Sequence, residues 1–293
     1  ITEDIGGSGK GAGVRTIMRV ARFLDADVLI LLDGDLLSVR PKWIESIAAP
    51  IIYGRADLTI PFYIRHKYDG VITNILAYPF TRAVYGVDIR QPIAGEFGIS
   101  RELCEKLLKH PLFPMDFGID IFIVTVAAAE GMMAKESLFT QKIHESTTRY
   151  LEPEKLLIPM FRQVVGEMFE LAKYYEKMWR NRERYRLSRN YRTGLTQKPI
   201  PVKVDIEKFI KMFREGYRDM KDVIRRYLSP DINSRLEDTY NDIEKFDADT
   251  WAKAVYRFAA GYRHLERDID KYILIEALKS LWLGRFASYA IEV

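Results

Sequence analysis

Short apolar runs alternate with helical patterns along the first 150 residues of the chain. Asp27 begins the run 27–32, whose other residues are continuously apolar and which is bounded by acids; this is typical of a strand buried on both faces of a sheet. A helical pattern at 14–24 precedes this run, and a second strand-like run follows at 57–63. Alternation of this kind predicts an α/β layer fold.

Proline marks where helices start and bend in this region. Pro41 is the predicted first residue of a helix over 41–49, because a proline at that position loses no hydrogen bond. Residues 71–84 also have a helical pattern, but Pro79 within it is expected to bend or end the segment. A further strand is predicted at 133–139.

The pattern changes near residue 150 to long amphipathic helices. They are predicted at 153–180, 205–228, 232–245 and 250–287. We therefore predict two domains, an α/β unit over 1–150 and a helical unit over 151–293. Residues 187–202, which contain Gly194, Pro199 and Pro201, are the predicted exposed loop of the helical unit.

The α/β unit is short for its class. A doubly wound nucleotide-binding sheet usually begins with a strand and a turn, which should precede Ile1, and the sequence begins without Met. We expect the first strands of the sheet to be absent from this sequence.

Composition narrows the class of protein. A chain of 293 residues with 48% hydrophobic residues can bury a full core, and its apolar runs are too short to span a bilayer. The single cysteine, Cys104, cannot form an internal disulfide, and the first residues lack the pattern of a signal peptide. These features favour a cytoplasmic protein with no membrane span.

The charge balance does not indicate a nucleic-acid partner. The chain has 45 basic and 41 acidic residues, a net charge of +4, and the two signs are mixed along its length. Residues 177–192 carry seven Lys or Arg and one Glu, with aromatic residues between them. No nucleic-acid-binding module surrounds this stretch, so a solvated helix face or loop is the favoured interpretation.

The triplet Asp33-Gly34-Asp35 follows the first predicted strand. Two carboxylates at positions i and i+2 of an extended segment point the same way, so both can face one hard cation. Open α/β sheets bind ligands at the carboxyl ends of parallel strands, which is where we expect the triplet. A divalent ion there would complete its shell with the diphosphate of a ligand and stabilise a leaving nucleoside diphosphate. The alternative is that these carboxylates cap the helix near Pro41.

Lys10 and His144 are further candidates. The glycine-rich opening at 6–13 fails the Walker pattern, because Asp4 and Gly11 occupy positions that require Gly and Ser or Thr. A flexible glycine loop with one lysine can still approach a diphosphate closely, which makes Lys10 a candidate contact. His144 follows a predicted strand and is a candidate metal ligand, although a lone histidine is more often structural.

Three acids in the middle of the α/β unit are also candidates. Glu96 lies between Gly95 and Gly98. Asp116 precedes a predicted helix, and an N-cap is its favoured role. Asp120 is followed by an apolar helix face, where an unpaired carboxylate costs free energy, so we expect it to bind a polar group.

The order of these motifs resembles that of one enzyme family. G-K-G at Lys10, D-x-D at 33–35, Q-P-x-x-G-E ending at Glu96, G-I-D ending at Asp120 and a late His144 look like the retaining GT-A glycosyltransferases that make mannosylglycerate, and like the related glucosyl-3-phosphoglycerate synthases. The similarity covers residues 9–150 and continues weakly into the helical region. It implies a GT-A fold, with a Rossmann-like sheet and a helical C-terminal domain.

The resemblance implies a role for each of these residues. Asp35 and His144 would bind a divalent cation, Mg²⁺ or Mn²⁺, and Asp33 would lie near the ribose or the metal. Lys10 and the triplet with Gly34 would contact the nucleotide sugar. Asp120 would bind hydroxyls of the donor sugar or the acceptor, and Asp120 and Glu96 are the candidate catalytic carboxylates.

The acceptor site is implied by a second stretch. Arg65 and Thr73 match positions that hold the acceptor carboxylate in mannosylglycerate synthases. The phosphoglycerate enzymes carry an arginine in a G-R-x-T run, whereas this chain has G-V-I-T at 70–73. Losing that arginine removes a bidentate phosphate clamp, which favours an unphosphorylated acceptor. His66 and Lys67 keep a phosphate open, and the family's tryptophan is replaced by Phe117.

The expected function is transfer of mannose or glucose, with retention, from GDP-mannose or UDP-glucose to D-glycerate or a similar small hydroxy acid. The expected enzyme is a homo-oligomer, and a glucosyl-3-phosphoglycerate synthase is the nearest alternative. A nucleotidyltransferase and a non-catalytic oligomerising homologue are alternatives of other classes. Release of pyrophosphate rather than of nucleoside diphosphate would identify the nucleotidyltransferase.

Overall fold

The fold comes from a computed structural model, which describes residues 8–143, 151–181 and 198–292. The chain divides into two compact units. Residues 1–147 and 170–202 belong to the first unit, and residues 148–169 and 203–293 belong to the second. The predicted domain boundary after residue 150 stays a prediction.

The first unit alternates helices and strands, so the predicted α/β class is confirmed. Its elements are α1 (Lys10–Phe23), β1 (Val28–Leu31), α2 (Pro41–Ile52), β2 (Leu58–Ile64), α3 (Tyr78–Tyr85), β3 (Phe97–Ser100), α4 (Arg101–Lys109), α5 (Ile119–Ala129) and β4 (Ala134–Gln141). The strand β3 was not predicted, because four residues are too few to show a period.

The four strands form one mixed sheet in the order β1-β3-β2-β4. The strand β3 is antiparallel to both β1 and β2, and β2 is parallel to β4. The strands β1, β2 and β4 therefore run in one direction, and their carboxyl ends lie at the same edge of the sheet as the amino end of β3.

The prediction that β1 is a parallel strand buried on both faces was wrong. Within the described sheet its neighbour is the antiparallel strand β3, and only Leu31 of its four residues is buried. An apolar run indicates that a strand contacts a core, but it does not indicate whether the neighbouring strand is parallel or antiparallel.

The helix α1 begins at Lys10, four residues before the predicted start. Gly9 and Gly11 lie against the backbone at 114–116, and a Cβ on Gly11 would be 2.1 Å from the carbonyl oxygen of Pro114. These glycines permit close packing of the helix start. From Lys10 onward the glycine-rich opening is therefore part of a packed helix and not a flexible loop.

The proline at 79 is accommodated by a π-helical turn, Thr73–Ala77. The N–H of Tyr78 bonds the carbonyl oxygen of Thr73, five residues back. Pro79 then occupies the first turn of α3, where its missing N–H costs little. The predicted helix over 71–84 is confirmed, with this local change of winding.

The core of the first unit surrounds α5, in which all residues from Ile119 to Ala128 are buried. A helix that is apolar on every side must be covered on every side.

Asp116 accepts a hydrogen bond from the N–H of Gly118 at 2.8 Å, and Gly118 is the N-cap residue of α5. Asp116 therefore closes the turn before the helix rather than acting as its N-cap.

The second unit is helical in the part that the structure describes, as predicted. The helices after residue 150 are α6 (Leu157–Tyr174), α7 (Glu176–Arg180), α8 (Ile206–Tyr227), α9 (Pro230–Asn241), α10 (Ala248–Tyr262) and α11 (Asp268–Glu292). The last residues of α6 and the whole of α7 belong to the first unit.

The single helix predicted over 250–287 was wrong. The chain turns between α10 and α11, where the N–H groups of His264 and Leu265 bond carbonyl oxygens three residues back. The side chain of Arg267 then binds Asp270 in the first turn of α11. An amphipathic pattern does not show this turn, because the apolar period resumes at once after it.

Two features of the second half lie largely outside the described residues. Most of the basic stretch 177–192 and of the predicted loop 187–202 falls in 182–197.

Among the helices that the structure describes, none is both long enough and apolar enough to cross a membrane.

Candidate functional site

The register of the sheet brings the predicted site residues together. Leu31 pairs with Phe97, so the segment after β1 runs beside the segment before β3. Ile64 pairs with Gln141, so the residues that follow β2 and β4 are also neighbours. Asp33, Glu96, Arg65 and Lys142 all lie within two residues of these paired positions.

Lys10 links two of the predicted carboxylates. Its Nζ is 3.0 Å from Oδ1 of Asp33 and 2.9 Å from Oδ2 of Asp120. Burial alone lowers the pKa of Lys10, but the charges of Asp120 and then Asp33 outweigh it and raise the pKa above its ordinary value. Lys10 is therefore a fixed cation between two acids, at the first turn of α1.

Asp120 is a buried carboxylate with a charged partner. Burial raises its pKa, and Lys10 acts in the opposite direction. This ion pair explains how an acid is accommodated in the apolar helix α5.

Lys142 links Asp33 to a third acid, Glu96. Its side chain is 2% exposed, and its Nζ is 2.7 Å from Oε1 of Glu96 and 3.6 Å from Oδ2 of Asp33. It also donates hydrogen bonds to Oε2 of Glu96 at 2.8 Å and to the carbonyl oxygen of Ala94 at 2.5 Å. Glu96 is 0% exposed, so this lysine compensates a fully buried negative charge.

Tyr63 completes the surroundings of Glu96. Its hydroxyl donates a hydrogen bond to Oε2 of Glu96 at 2.7 Å. Burial, and then the charge of Glu96, raise the pKa of Tyr63, so the hydroxyl stays protonated as a donor. Burial raises the pKa of Glu96 as well, against the influence of Lys142.

Gly95 allows Asp33 to reach this position. Its φ is +89°, and a Cβ there would be 2.0 Å from Oδ2 of Asp33. A side chain at residue 95 would therefore occupy the place of the Asp33 carboxylate. We define the charge cluster as Lys10, Asp33, Glu96, Asp120 and Lys142.

Gly34 and Asp35 are exposed beside the charge cluster. Among the residues that the structure describes, no group of three His, Cys, Asp or Glu side chains is arranged to hold a metal ion. One carboxylate nevertheless fits a magnesium-type ion, which commonly uses one or two protein carboxylates and takes its other ligands from phosphate and water. Asp33 lies between two lysines, and Asp35 stays the predicted cation ligand of the triplet.

The predicted ligand His144 lies outside the described residues. The residue before it, Ile143, is bound to the loop that follows Asp35. Its carbonyl oxygen accepts a hydrogen bond from the N–H of Leu37 at 2.9 Å, and its N–H donates to Oγ of Ser38 at 3.1 Å.

The predicted acceptor residues lie in the segment after β2. Arg65 forms two hydrogen bonds with Asp69, at 2.8 Å from Nε and 3.1 Å from Nη2. Its guanidinium group lies over Gly70, whose φ is +72°. Thr73 is 2% exposed and begins the π-helical turn. Arg65 and Asp69 together are neutral. The pair therefore attracts a phosphate dianion less strongly than an arginine alone would.

Lys142, Tyr63 and Asp69 were missed as functional candidates by sequence reasoning. Lys142 follows a predicted strand and precedes His144 by two residues, and this position was its only signal. A lysine is normally exposed, so only the pairing of β2 with β4 shows that it is buried among acids.

Comparisons with known proteins found similar solved structures but no matching protein family. No protein-family model matches the chain, and no curated protein matches it. One similar structure is that of a mycobacterial protein, 23% identical, with a TM-score of 0.47 over 56% of this chain and 52% of the other. Another is glucosyl-3-phosphoglycerate synthase from Mycobacterium tuberculosis in complex with Mn²⁺, uridine diphosphate and phosphoglyceric acid, 23% identical, with a TM-score of 0.46 over 57% of this chain and 55% of the other.

The same synthase with UDP-glucose and phosphoglyceric acid matches over 68% of this chain and 64% of the other, at 23% identity and a TM-score of 0.46. The chain thus spans between half and two thirds of the length of these structures.

Proposed function

We propose that this chain is part of a metal-dependent retaining hexosyltransferase that uses a nucleoside diphosphate sugar. The observation that carries the proposal is the charge cluster at the sheet edge, beside the exposed carboxylate of Asp35. Two ammonium groups face three carboxylates there, and Asp35 is a further, exposed acid in the same segment as Asp33. A divalent cation and a diphosphate together suit such a place better than either does alone.

The residues have distinct roles in this proposal. Asp35, with His144, would hold the divalent cation, Mg²⁺ or Mn²⁺, which supplies Lewis-acid stabilisation of the departing diphosphate. Lys10 adds a fixed positive charge at the start of α1, where the helix dipole also favours an anion. Asp120 lies 2.9 Å from Lys10. It would therefore bind hydroxyls of a sugar whose diphosphate contacts Lys10.

Glu96 takes a positioning role. A carboxylate with no exposed surface, held by Lys142 and Tyr63, cannot reach a sugar. It holds Lys142 beside Asp33 instead, and Asp33 in turn holds Lys10. Preorganised charge of this kind makes the largest contribution to the rate enhancement of many enzymes.

The proposed acceptor is a small hydroxy acid such as D-glycerate. Arg65 would orient its carboxylate, with Thr73 behind it. Because Arg65 and Asp69 together are neutral, they attract a phosphate dianion less than an arginine alone would, which favours a monoanion over 3-phosphoglycerate. The donor is UDP-glucose or GDP-mannose.

The test is a product analysis of the purified full-length protein that contains this chain. UDP-glucose or GDP-mannose is incubated with Mn²⁺ and glycerate, lactate, glycolate or 3-phosphoglycerate, and products are identified by mass spectrometry. We expect nucleoside diphosphate and a hexosylated acid. Release of pyrophosphate, or no product with any donor, would contradict the proposal.

The matched variants are Asp35→Asn and Asp27→Asn, which lie after and before β1 in the sequence. Asp35→Asn should lower the transfer rate by about 100-fold or more and weaken Mn²⁺ binding measured by calorimetry. Asp27 is 90% exposed and pairs with Arg101 at the surface, so its variant should retain both properties. Equal activity of the two variants would refute the role of Asp35.

A further inference from the structure

A polar cleft lies in the helical unit, between α8 and α9. Its volume is about 340 Å³. The residues that line it are Tyr217, Arg218 and Lys221 from α8, and Glu237, Tyr240 and Asn241 from α9. All of them belong to the second unit, so the cleft is independent of the charge cluster and of the function proposed above.

The floor of this cleft contains a buried hydroxyl. Tyr217 is 2% exposed, and none of the described residues provides a hydrogen-bond partner for its hydroxyl oxygen. After burial, the charge of Glu237 is the largest influence on the pKa of Tyr217 and raises it. Tyr217 and Glu237 line the same cleft, and the buried hydroxyl is a donor that requires an acceptor.

One face of α8 is basic where it borders the cleft. Arg214, Arg218, Lys221 and Arg225 follow the spacing i, i+4, i+7 and i+11, which places them in one stripe along a helix. Across from them, Glu237 is 3.2 Å from Lys221 and 2.5 Å from Arg225.

Glu237 can be replaced by another anion at low cost. Its side chain is 46% exposed, and those of Lys221 and Arg225 are 38% and 49% exposed. Ion pairs with this exposure contribute little to stability. A ligand with more negative charge and more acceptor oxygens than one carboxylate can therefore take its place.

We propose that the cleft binds a small phosphorylated anion. The phosphate oxygens contact Lys221 and Arg218, one oxygen accepts the hydrogen bond of the Tyr217 hydroxyl, and Glu237 turns towards solvent. The ring of Tyr240, with its centroid 5.7 Å from that of Tyr217, forms an apolar wall for the rest of the ligand.

The test is titration calorimetry of the whole chain with pyrophosphate, and with citrate as a carboxylate probe, at constant ionic strength. Tyr217→Phe and Lys221→Gln should each weaken pyrophosphate binding about tenfold. Glu237→Gln should tighten it, because the competing carboxylate is removed. The control is Arg226→Gln, which also removes one positive charge from α8. Arg226 lies about 100° around the helix axis from Arg225, outside the basic stripe, so this variant should bind pyrophosphate as the wild type does.

Thermal unfolding separates binding from folding in these variants. Tyr217→Phe should be as stable as the wild type or more stable, since it removes a buried donor without a described partner. The proposal is overturned by absence of pyrophosphate binding at millimolar concentration, by equal binding of citrate, by unchanged binding in Tyr217→Phe, or by an equal loss in Arg226→Gln.

Discussion

Individual side chains in the charge cluster are held by interactions that sequence spacing does not show. The family resemblance implies that Asp33 lies near a ribose or a metal, and this stays a prediction. In the structure its carboxylate lies between Lys10 and Lys142, which separates its environment from that of Asp35 two residues later. The same pattern therefore yields two carboxylates with different surroundings.

Gly95→Ala tests how Asp33 is placed. The new Cβ would occupy the position of the Asp33 carboxylate, and φ at +89° is strained for alanine. We expect the free energy of unfolding to fall by about 2 to 4 kcal/mol. The control is Gly54→Ala, where φ is +63° and no atom lies within 4 Å of the new Cβ. It should show only the backbone cost of about 1 kcal/mol, and equal losses in the two variants would show that no clash with Asp33 exists.

Lys142→Met tests the buried ion pair with Glu96. It leaves an uncompensated buried carboxylate, which should lower the free energy of unfolding by about 3 kcal/mol. Without Lys142 the pKa of Glu96 rises further, so protonation relieves the loss, and the loss should be smaller at pH 5 than at pH 8. Urea unfolding at both pH values measures it.

A double-mutant cycle distinguishes the ion pair from packing. Adding Glu96→Gln to Lys142→Met removes the unpaired charge, so the double variant should be more stable than Lys142→Met alone. Purely additive losses would contradict the pairing.

At the scale of helices and strands, periodicity predicted most elements, and packing decided their ends. The helix α1 starts four residues before its amphipathic pattern because Gly9 and Gly11 allow the helix to approach the backbone at 114–116. The helices α10 and α11 share one continuous pattern, yet a turn at 263–267 separates them. Such endpoints depend on contacts with residues far away in the sequence.

Two glycines of α1 should respond to alanine in opposite directions. At Gly11 a Cβ would be 2.1 Å from the carbonyl oxygen of Pro114, whereas at Gly13 nothing lies within 4 Å. Gly11→Ala should lower the free energy of unfolding by about 2 kcal/mol through overpacking. Gly13→Ala should raise it by about 0.5 to 1 kcal/mol through helix propensity. Thermal unfolding of the two variants measures this, and the same sign for both would contradict the close approach of α1.

At the scale of the whole molecule, each unit is stabilised by ion pairs between distant segments as well as by its core. In the second unit, Arg162 of α6 binds Glu276 of α11 through Nε at 2.5 Å and Nη2 at 2.9 Å, and Lys279 adds a contact at 2.7 Å. Burial alone raises the pKa of Glu276, but these hydrogen bonds outweigh it and hold the pKa below its ordinary value of 4.5.

This ion pair predicts how acid affects the second unit. A lowered carboxyl pKa stabilises the fold above pH 4.5, and that contribution is lost as the pH falls through the lowered pKa. Glu276→Gln should therefore cost about 1 to 2 kcal/mol at pH 7, allowing for the partial exposure of Arg162. The difference from the wild type should shrink at pH 3.5. A difference that is constant with pH, measured by urea unfolding, would show that the carboxylate charge contributes nothing.

The sequence by itself determined the α/β and then helical order of the chain, most helix and strand positions, and which acids and lysines were worth considering. These follow from local periodicity and from motif order, which the chain carries in its residues. Only the tertiary structure decided that β3 separates β1 from β2, that Lys142 is buried beside Glu96 and Asp33, and that Gly95 makes room for Asp33. These depend on strand pairing between residues 39 to 77 positions apart, and local patterns carry no information about which partners meet.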